Sequence, residues 1–240
     1  MPPQLPLKLA LAPLLLGQAL WTRRRLPRLP EAAGPRQGTA GQGELGLTLL
    51  ILGDSSAAGV GVAHQRAALA GQLSRALAQR LQRRVPWQLC ARSGVTTAQA
   101  LDLVGEARPA DVAVVVTGVN DVIDQVSPQR ALRQREALVQ ALRQHAGVRQ
   151  VVMTPVPPMG RFAGLPQPLR WLAGQEAAAH EAALRRWAGQ QPAVSHLPFE
   201  LPVGDAGLLA SDGFHPGAPL YAAWGRALAQ HIADAVLPRL

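Results

Sequence analysis

Residues 47–56 read LTLLILGDSS. Leu47–Leu52 is almost continuously apolar and runs into Gly53. That is the pattern of a strand buried on both faces of a parallel sheet, since a half-exposed strand alternates instead. Downstream the figure recurs in Val85–Ala91, in Asp111–Thr117 (DVAVVVT), in Val148–Pro155 and, more weakly, in Val194–Leu197. Segments with helical spacing separate these strands. Leu69, Leu73, Leu77 and Leu81 recur every four residues. Thr96 or Thr97 suits the cap of a helix carrying Ala100, Leu101, Leu103 and Val104. Ser127 and Pro128 suit the cap and first position of a helix with Leu132, Leu138, Val139 and Leu142. Further helices are expected over Leu172–Ala188 and Pro219–Val236. Alternating strands and helices predict an α/β fold with right-handed crossovers, a parallel sheet and helices on both faces. Function in such sheets collects at the C-terminal ends of the strands.

Upstream of Leu47 the pattern dissolves. Residues 26–46 contain Pro27, Pro30, Gly34, Pro35, Gly38, Gly41, Gly43 and Gly46 and read as a linker. Gly41–Gly46 matches G-x-G-x-x-G, but it precedes the first strand, whereas a dinucleotide fingerprint follows a strand and opens a helix. Residues 1–25 carry the apolar run Leu9–Trp21, with Lys8 before it and Arg23, Arg24 and Arg25 after it. The run is short for a span of ~20 residues, and its heavier positive flank is on the wrong side for a secretory signal. A membrane or interfacial anchor is the leading reading, with the arginines favouring the cytoplasmic side. A signal peptide cut after Ala19 and a tail packed on the domain are the alternatives. The expected organisation is therefore 1–25 anchor or signal-like, 26–46 linker and 47–240 the α/β domain.

Composition narrows the partners. The chain has 240 residues, 48% hydrophobic and 16% charged, which suits one sizeable α/β domain and excludes wholesale disorder. Cys90 is the only cysteine, so a disulfide framework and a cysteine zinc cluster are excluded; in a predicted strand it reads as a buried apolar residue. Lys8 is the only lysine, which removes a phosphate-binding G-x-x-x-x-G-K loop. The net charge is +9. Its arginines are scattered beyond the N-terminus, aromatics are 4%, and no nucleic-acid-binding signature accompanies them, so nucleic acid is not an expected partner.

Each strand end carries a polar motif. The first reads Gly53-Asp54-Ser55-Ser56, where the serine stands at a sheet mouth near a helix start, although Asp54 and Ser55 also suit turn or cap positions. The second reads Arg92-Ser93-Gly94, whose glycine can present an unobstructed N–H or simply make a turn. The third reads Gly118-Val119-Asn120-Asp121, whose amide can donate to an oxyanion or close a turn. Before the last helix, Asp212 and His215 stand three residues apart in Ser211-Asp212-Gly213-Phe214-His215-Pro216, within reach of a carboxylate–imidazole contact. His64, His145, His180, His196 and His231 lack such a setting and read as structural or solvated.

These four blocks, in this order, resemble the GDSL or SGNH hydrolase family over about residues 47–236. The first block departs from the family's usual leucine, which is Ser56 here. The resemblance implies a three-layer α/β/α sandwich with a mainly parallel, about five-stranded, flavodoxin-like sheet. It implies Ser55 as nucleophile, His215 as general base and acid, and Asp212 as orienter. It implies an oxyanion hole from the Ser55 and Gly94 N–H groups and the Asn120 amide, and no metal or organic cofactor. The expected activity is hydrolysis of carboxylic esters, lipid-like or short, or of thioesters. The alternatives are a carbohydrate or cell-envelope glycan deacetylase using the same site, and a catalytically silent membrane-proximal binding domain. A small-molecule ester is the expected partner, with the membrane surface as a second through residues 1–25. Met159, Phe162, Leu165 and Trp171, on the proline-rich segment 156–171, are candidates for an acyl-pocket wall or for packing over the sheet edge.

Overall fold

The computed structural model describes residues 5–25, 27–199 and 206–240. The apolar strand runs form as expected: β2 (Leu49–Gly53), β3 (Val85–Ala91), β4 (Val112–Val116), β5 (Gln150–Met153) and β6 (Val194–His196). β2, β4 and β5 are buried along their whole length, which is why their sequences do not alternate. All five pair in parallel, in the spatial order β3-β2-β4-β5-β6. This is the doubly wound 2-1-3-4-5 order, whose switch point lies between β2 and β4.

The sheet has six strands rather than five. β1 (Gln37–Ala40) adds antiparallel to β3 at one edge, inside the segment expected to be a linker. Gln-Gly-Thr-Ala has no apolar pattern, and three of its four residues are exposed, so hydropathy gives it no signal. The same segment braces the loop after β3. Glu31 accepts from the Ser93 N–H (2.7 Å) and pairs with Arg36, and Arg36 donates to the Ala91 carbonyl (2.6 Å).

Helices cover both faces. α3 (Leu69–Leu81) packs on α7 (Ala218–His231), and α5 (Pro128–Ala146) packs on α6 (Leu169–Ala188). Ser127 caps α5 by accepting from the Arg130 N–H, with Pro128 at the first position. The helix expected after β3 is a 3-10 helix, Gln99–Glu106, rather than an α-helix. A single apolar core of leucine, valine and alanine runs through both layers.

α1 (Leu5–Arg25) is helical through Pro13. Gln18 ties it to the start of α6, donating to the Gln167 carbonyl (2.6 Å) and accepting from the Leu169 N–H (3.1 Å). Leu14, Leu16, Leu20 and Trp21 are nevertheless about half exposed or more. Among the described residues, no helix is long and apolar enough to cross a membrane.

Candidate active site

Two short helices carry the first two pieces of the site: α2 (Ser55–Ala58) after β2, and α4 (Val119–Ile123) after β4. At the end of β2, a Cβ on Gly53 would stand 2.1 Å from the Val116 carbonyl, so only glycine fits between the strands. The next residue, Asp54, continues the ladder by donating its N–H to that carbonyl (3.0 Å). Its carboxylate accepts from the Ser56 N–H (2.9 Å) and caps α2, leaving Ser55 as the first helical residue. In that position the Ser55 N–H has no acceptor four residues back within its helix. Asp54 is fully buried, and desolvation pushes its carboxyl up to about 7, against the Ser56 hydrogen bond and the nearby imidazole.

The loop before α7 brings the histidine over this serine. His215 Nε2 lies 2.9 Å from Ser55 Oγ, and Nδ1 lies 2.6 Å from Asp212 Oδ2. A carboxylate can only accept, so Nδ1 carries the proton and the Nε2 lone pair faces the serine hydroxyl. Asp212 Oδ1 accepts from the Phe214 (2.9 Å) and His215 (3.0 Å) N–H groups, which fixes the carboxylate plane. Burial pushes the Asp212 carboxyl up, but the His215 and backbone hydrogen bonds outweigh it and hold the group below its ordinary value. The side chains of Asp212 and His215 are only 3% and 18% exposed. The arrangement can take a proton from Ser55 Oγ and hold the resulting imidazolium beside a carboxylate.

Gly94 stands exposed on the loop after β3, in a left-handed conformation (φ +83°) with no atom near where a Cβ would be. Asn120 lies on α4, and its Nδ2 donates to the Val95 carbonyl (2.9 Å). One amide hydrogen thus ties α4 to the Gly94 loop, and the second is left for another acceptor. A second tie runs beneath the first. The buried Asp121 carboxylate accepts from the Thr97 N–H (2.8 Å) and Thr97 Oγ1 (2.6 Å). Arg135 of α5, with its side chain 1% exposed, meets the same carboxylate at 3.3 Å. Thr97 Oγ1 also reaches Thr117 Oγ1 at 2.9 Å. The Thr97 side chain therefore locks two strand ends together and does not cap a helix. Thr96 takes the capping role, with its Oγ1 accepting from the Gln99 N–H (3.4 Å) while Gln99 Oε1 accepts from the Thr96 N–H (2.9 Å). Burial pushes the Arg135 guanidinium down, against the pull of Asp121 and Glu181.

Beside Ser55 lies a cavity of about 40 Å³. Its walls include Asp54, Val116, Thr154, Phe162, Phe214 and Trp224. Of the four candidate wall residues, Phe162 is the one that lines it. Met159 and Leu165 pack into the core, and Trp171 lies 42% exposed on α6. Sequence reasoning passed over Phe214 and Trp224. Phe214 stands inside the Asp212–His215 motif, and Trp224 follows Leu220 at helical spacing on the buried face of α7.

Four of the other histidines make local contacts: His64 Nδ1 accepts from the Arg66 N–H, His180 Nε2 meets the Val126 carbonyl, His196 pairs with Glu181, and His231 meets Ser195, while His145 is exposed on α5. Burial pushes the Cys90 thiol up to about 11, with Glu106 adding to the rise, so it is not a reactive thiolate.

Comparisons with known proteins agree with this architecture. Residues 51–223 match the GDSL-like Lipase/Acylhydrolase family. A GDSL-like esterase of Mycobacterium tuberculosis is 30% identical over 253 residues, which is 95% of this chain and 78% of the relative. The crystal structure of TesA superposes with a TM-score of 0.61 at 24% identity, covering 80% of this chain and 99% of the other. A psychrotrophic esterase, EstA from Pseudoalteromonas sp., in a structure inhibited by monoethylphosphonate, gives 0.59 at 18% identity, covering 78% and 97%.

Proposed function

Because the chain belongs to the GDSL-like lipase/acylhydrolase family, we propose that it is a carboxylic ester hydrolase working through an acyl-enzyme on Ser55. The observation that carries this reading is the unbroken Asp212–His215–Ser55 chain, at 2.6 and 2.9 Å. Ser55 Oγ attacks the ester carbonyl while His215 Nε2 takes its proton. The carbonyl oxygen, now an oxyanion, accepts from the Ser55 and Gly94 N–H groups and the second Asn120 hydrogen. As the C–O bond breaks, His215 returns the proton to the leaving alkoxide. A water then repeats the sequence on the acyl-serine, and the acid is released. The same steps serve a thiolate leaving group or a sugar alcohol. Hydrolysis of p-nitrophenyl acetate by wild type and Ser55→Ala tests the reading. The variant is expected to lose roughly 10⁴–10⁶-fold in kcat, and an unchanged rate would overturn the nucleophile assignment.

We also infer that α1 seats the enzyme on an anionic membrane surface. It exposes Leu14, Leu16, Leu20 and Trp21 and is basic at and just past its end with Arg24, Arg25 and Arg28. The Gln18 contacts to α6 hold the helix against the domain rather than on a free tether.

A further inference from the structure

The cavity beside Ser55 is small and walled largely by apolar side chains. Its most deeply buried apolar lining residues are Leu220 (0% exposed) and Phe162 (2%), followed by Trp224 (3%) and Val116 (4%). Phe162 and Phe214, also in its lining, meet with ring centroids 4.8 Å apart. Phe214 in turn meets the His215 ring edge-on at 5.1 Å, so this part of the wall is fixed to the histidine. Pro155 and Pro157 stiffen the segment that leads to Phe162. The cavity's 40 Å³ is far below the roughly 300–1,000 Å³ of pockets that take drug-sized ligands. Gly94 and Asn120 are not among the lining residues, and Gly94 is open to solvent. The alcohol half of an ester must leave, while the acyl half stays covered until water attacks. The cavity, walled by buried apolar side chains, suits the half that stays, and the exposed Gly94 side suits the half that goes.

On the acyl-enzyme reading above, we infer that this cavity is the acyl subsite and that the Phe162–Phe214 pair limits the enzyme to short acyl groups, acetyl to butyryl. A butyryl chain places three carbons beyond its carbonyl, a small group for a small cavity. Long-chain lipid esters are then not the substrate, and the apolar α1 locates the enzyme without feeding it acyl chains. Deacetylation of an esterified sugar stays within this class, because the leaving group lies outside the cavity.

The test is kcat/KM for p-nitrophenyl acetate, butyrate, octanoate and laurate, measured with wild type, Phe162→Ala and the milder Phe162→Leu. Each methylene that enters the cavity is worth about fourfold, so the wild type should rise from acetate to butyrate. From butyrate to octanoate it should fall by at least about tenfold. Phe162→Ala should move the optimum to octanoate, and Phe162→Leu should move it part of the way if the alanine variant does not fold. A wild-type optimum at octanoate or longer overturns the inference and leaves the acyl-enzyme standing. An unshifted profile in a folded Phe162 variant overturns the role given to the aromatic pair. Hydrolysis of none of the esters, with Ser55 also unlabelled by a fluorophosphonate, overturns the acyl-enzyme reading itself, and the inference falls with it.

Discussion

Arg135→Met probes the lock beneath two of the three proposed oxyanion donors, Gly94 and Asn120. The guanidinium and the Asp121 carboxylate meet at 3.3 Å with side chains 1% and 0% exposed, so neither charge is solvated. Methionine fills a similar length of space but leaves Asp121 as an uncompensated buried charge, held only by Thr97. Breaking one side of a buried pair costs about 3–5 kcal/mol. That is a large part of a total stability of about 5–15 kcal/mol. With a urea dependence near 2–3 kcal/mol per molar, the unfolding midpoint should fall by about 1–2 M. Adding Asp121→Asn removes the orphaned charge while keeping an acceptor for the Thr97 N–H. Most of the lost stability should then return, because a neutralised pair no longer carries the desolvation cost. The assay is urea unfolding followed by circular dichroism on wild type, Arg135→Met, Asp121→Asn and the double variant. An Arg135→Met protein within about 1 kcal/mol of wild type, or a double variant as unstable as the sum of its parts, would refute the reasoning.

Asn120→Ala should lower kcat by roughly 10²–10³ with a smaller change in KM, the usual effect of removing one oxyanion donor; steady-state kinetics on a short ester measures it, and a loss below about threefold contradicts the role. Asp54 gives a pH signature. Its carboxyl titrates near 7 when folded against 3.8 in its ordinary state, so the folded protein holds the extra proton between those values. Stability from this group therefore falls as pH rises toward 7 and is flat above it, a loss of about 3 kcal/mol between pH 5 and 8. Asp54→Asn keeps the cap acceptor and should abolish that slope in urea unfolding at the two pH values; an unchanged slope would place its origin elsewhere. Asp212 works in the opposite sense, but its depressed carboxyl acts below about pH 4, outside this window. Deleting residues 1–25 should release the protein from phosphatidylglycerol vesicles while ester hydrolysis persists, and a truncated protein that still sediments with the vesicles contradicts the role given to α1.

What the sequence made legible was whatever has a local cause. The β2, β4 and β5 strands are buried on both faces, so their unbroken valine and leucine runs announce them. The Ser127–Pro128 start of α5 and the three-residue spacing of Asp212 and His215 are equally local. What stayed hidden depends on distant partners. β1 exists because β3 offers it an edge, and its own four residues carry no pattern. Asp121 and Arg135 are fourteen residues apart, on different helices. Arg135 is one of several arginines along α5, and only packing shows that it points inward. On hydropathy alone Met159 and Leu165 suit a pocket wall or packing over the sheet equally, because an apolar side chain on a loop serves the core as readily as a cavity. Trp224 stands at the cavity because α7, packed on α3, brings it beside Asp54 and Ser55, a relation no window of sequence contains.

The central claim is that Ser55 is the nucleophile and His215 activates it. The most direct measurement is labelling of the full chain with a fluorophosphonate, followed by mass spectrometry of the modified peptide. A single adduct on Ser55 is predicted, absent in Ser55→Ala and strongly slowed in His215→Ala. An adduct on any other residue, or labelling of Ser55 that proceeds equally fast without His215, would contradict it.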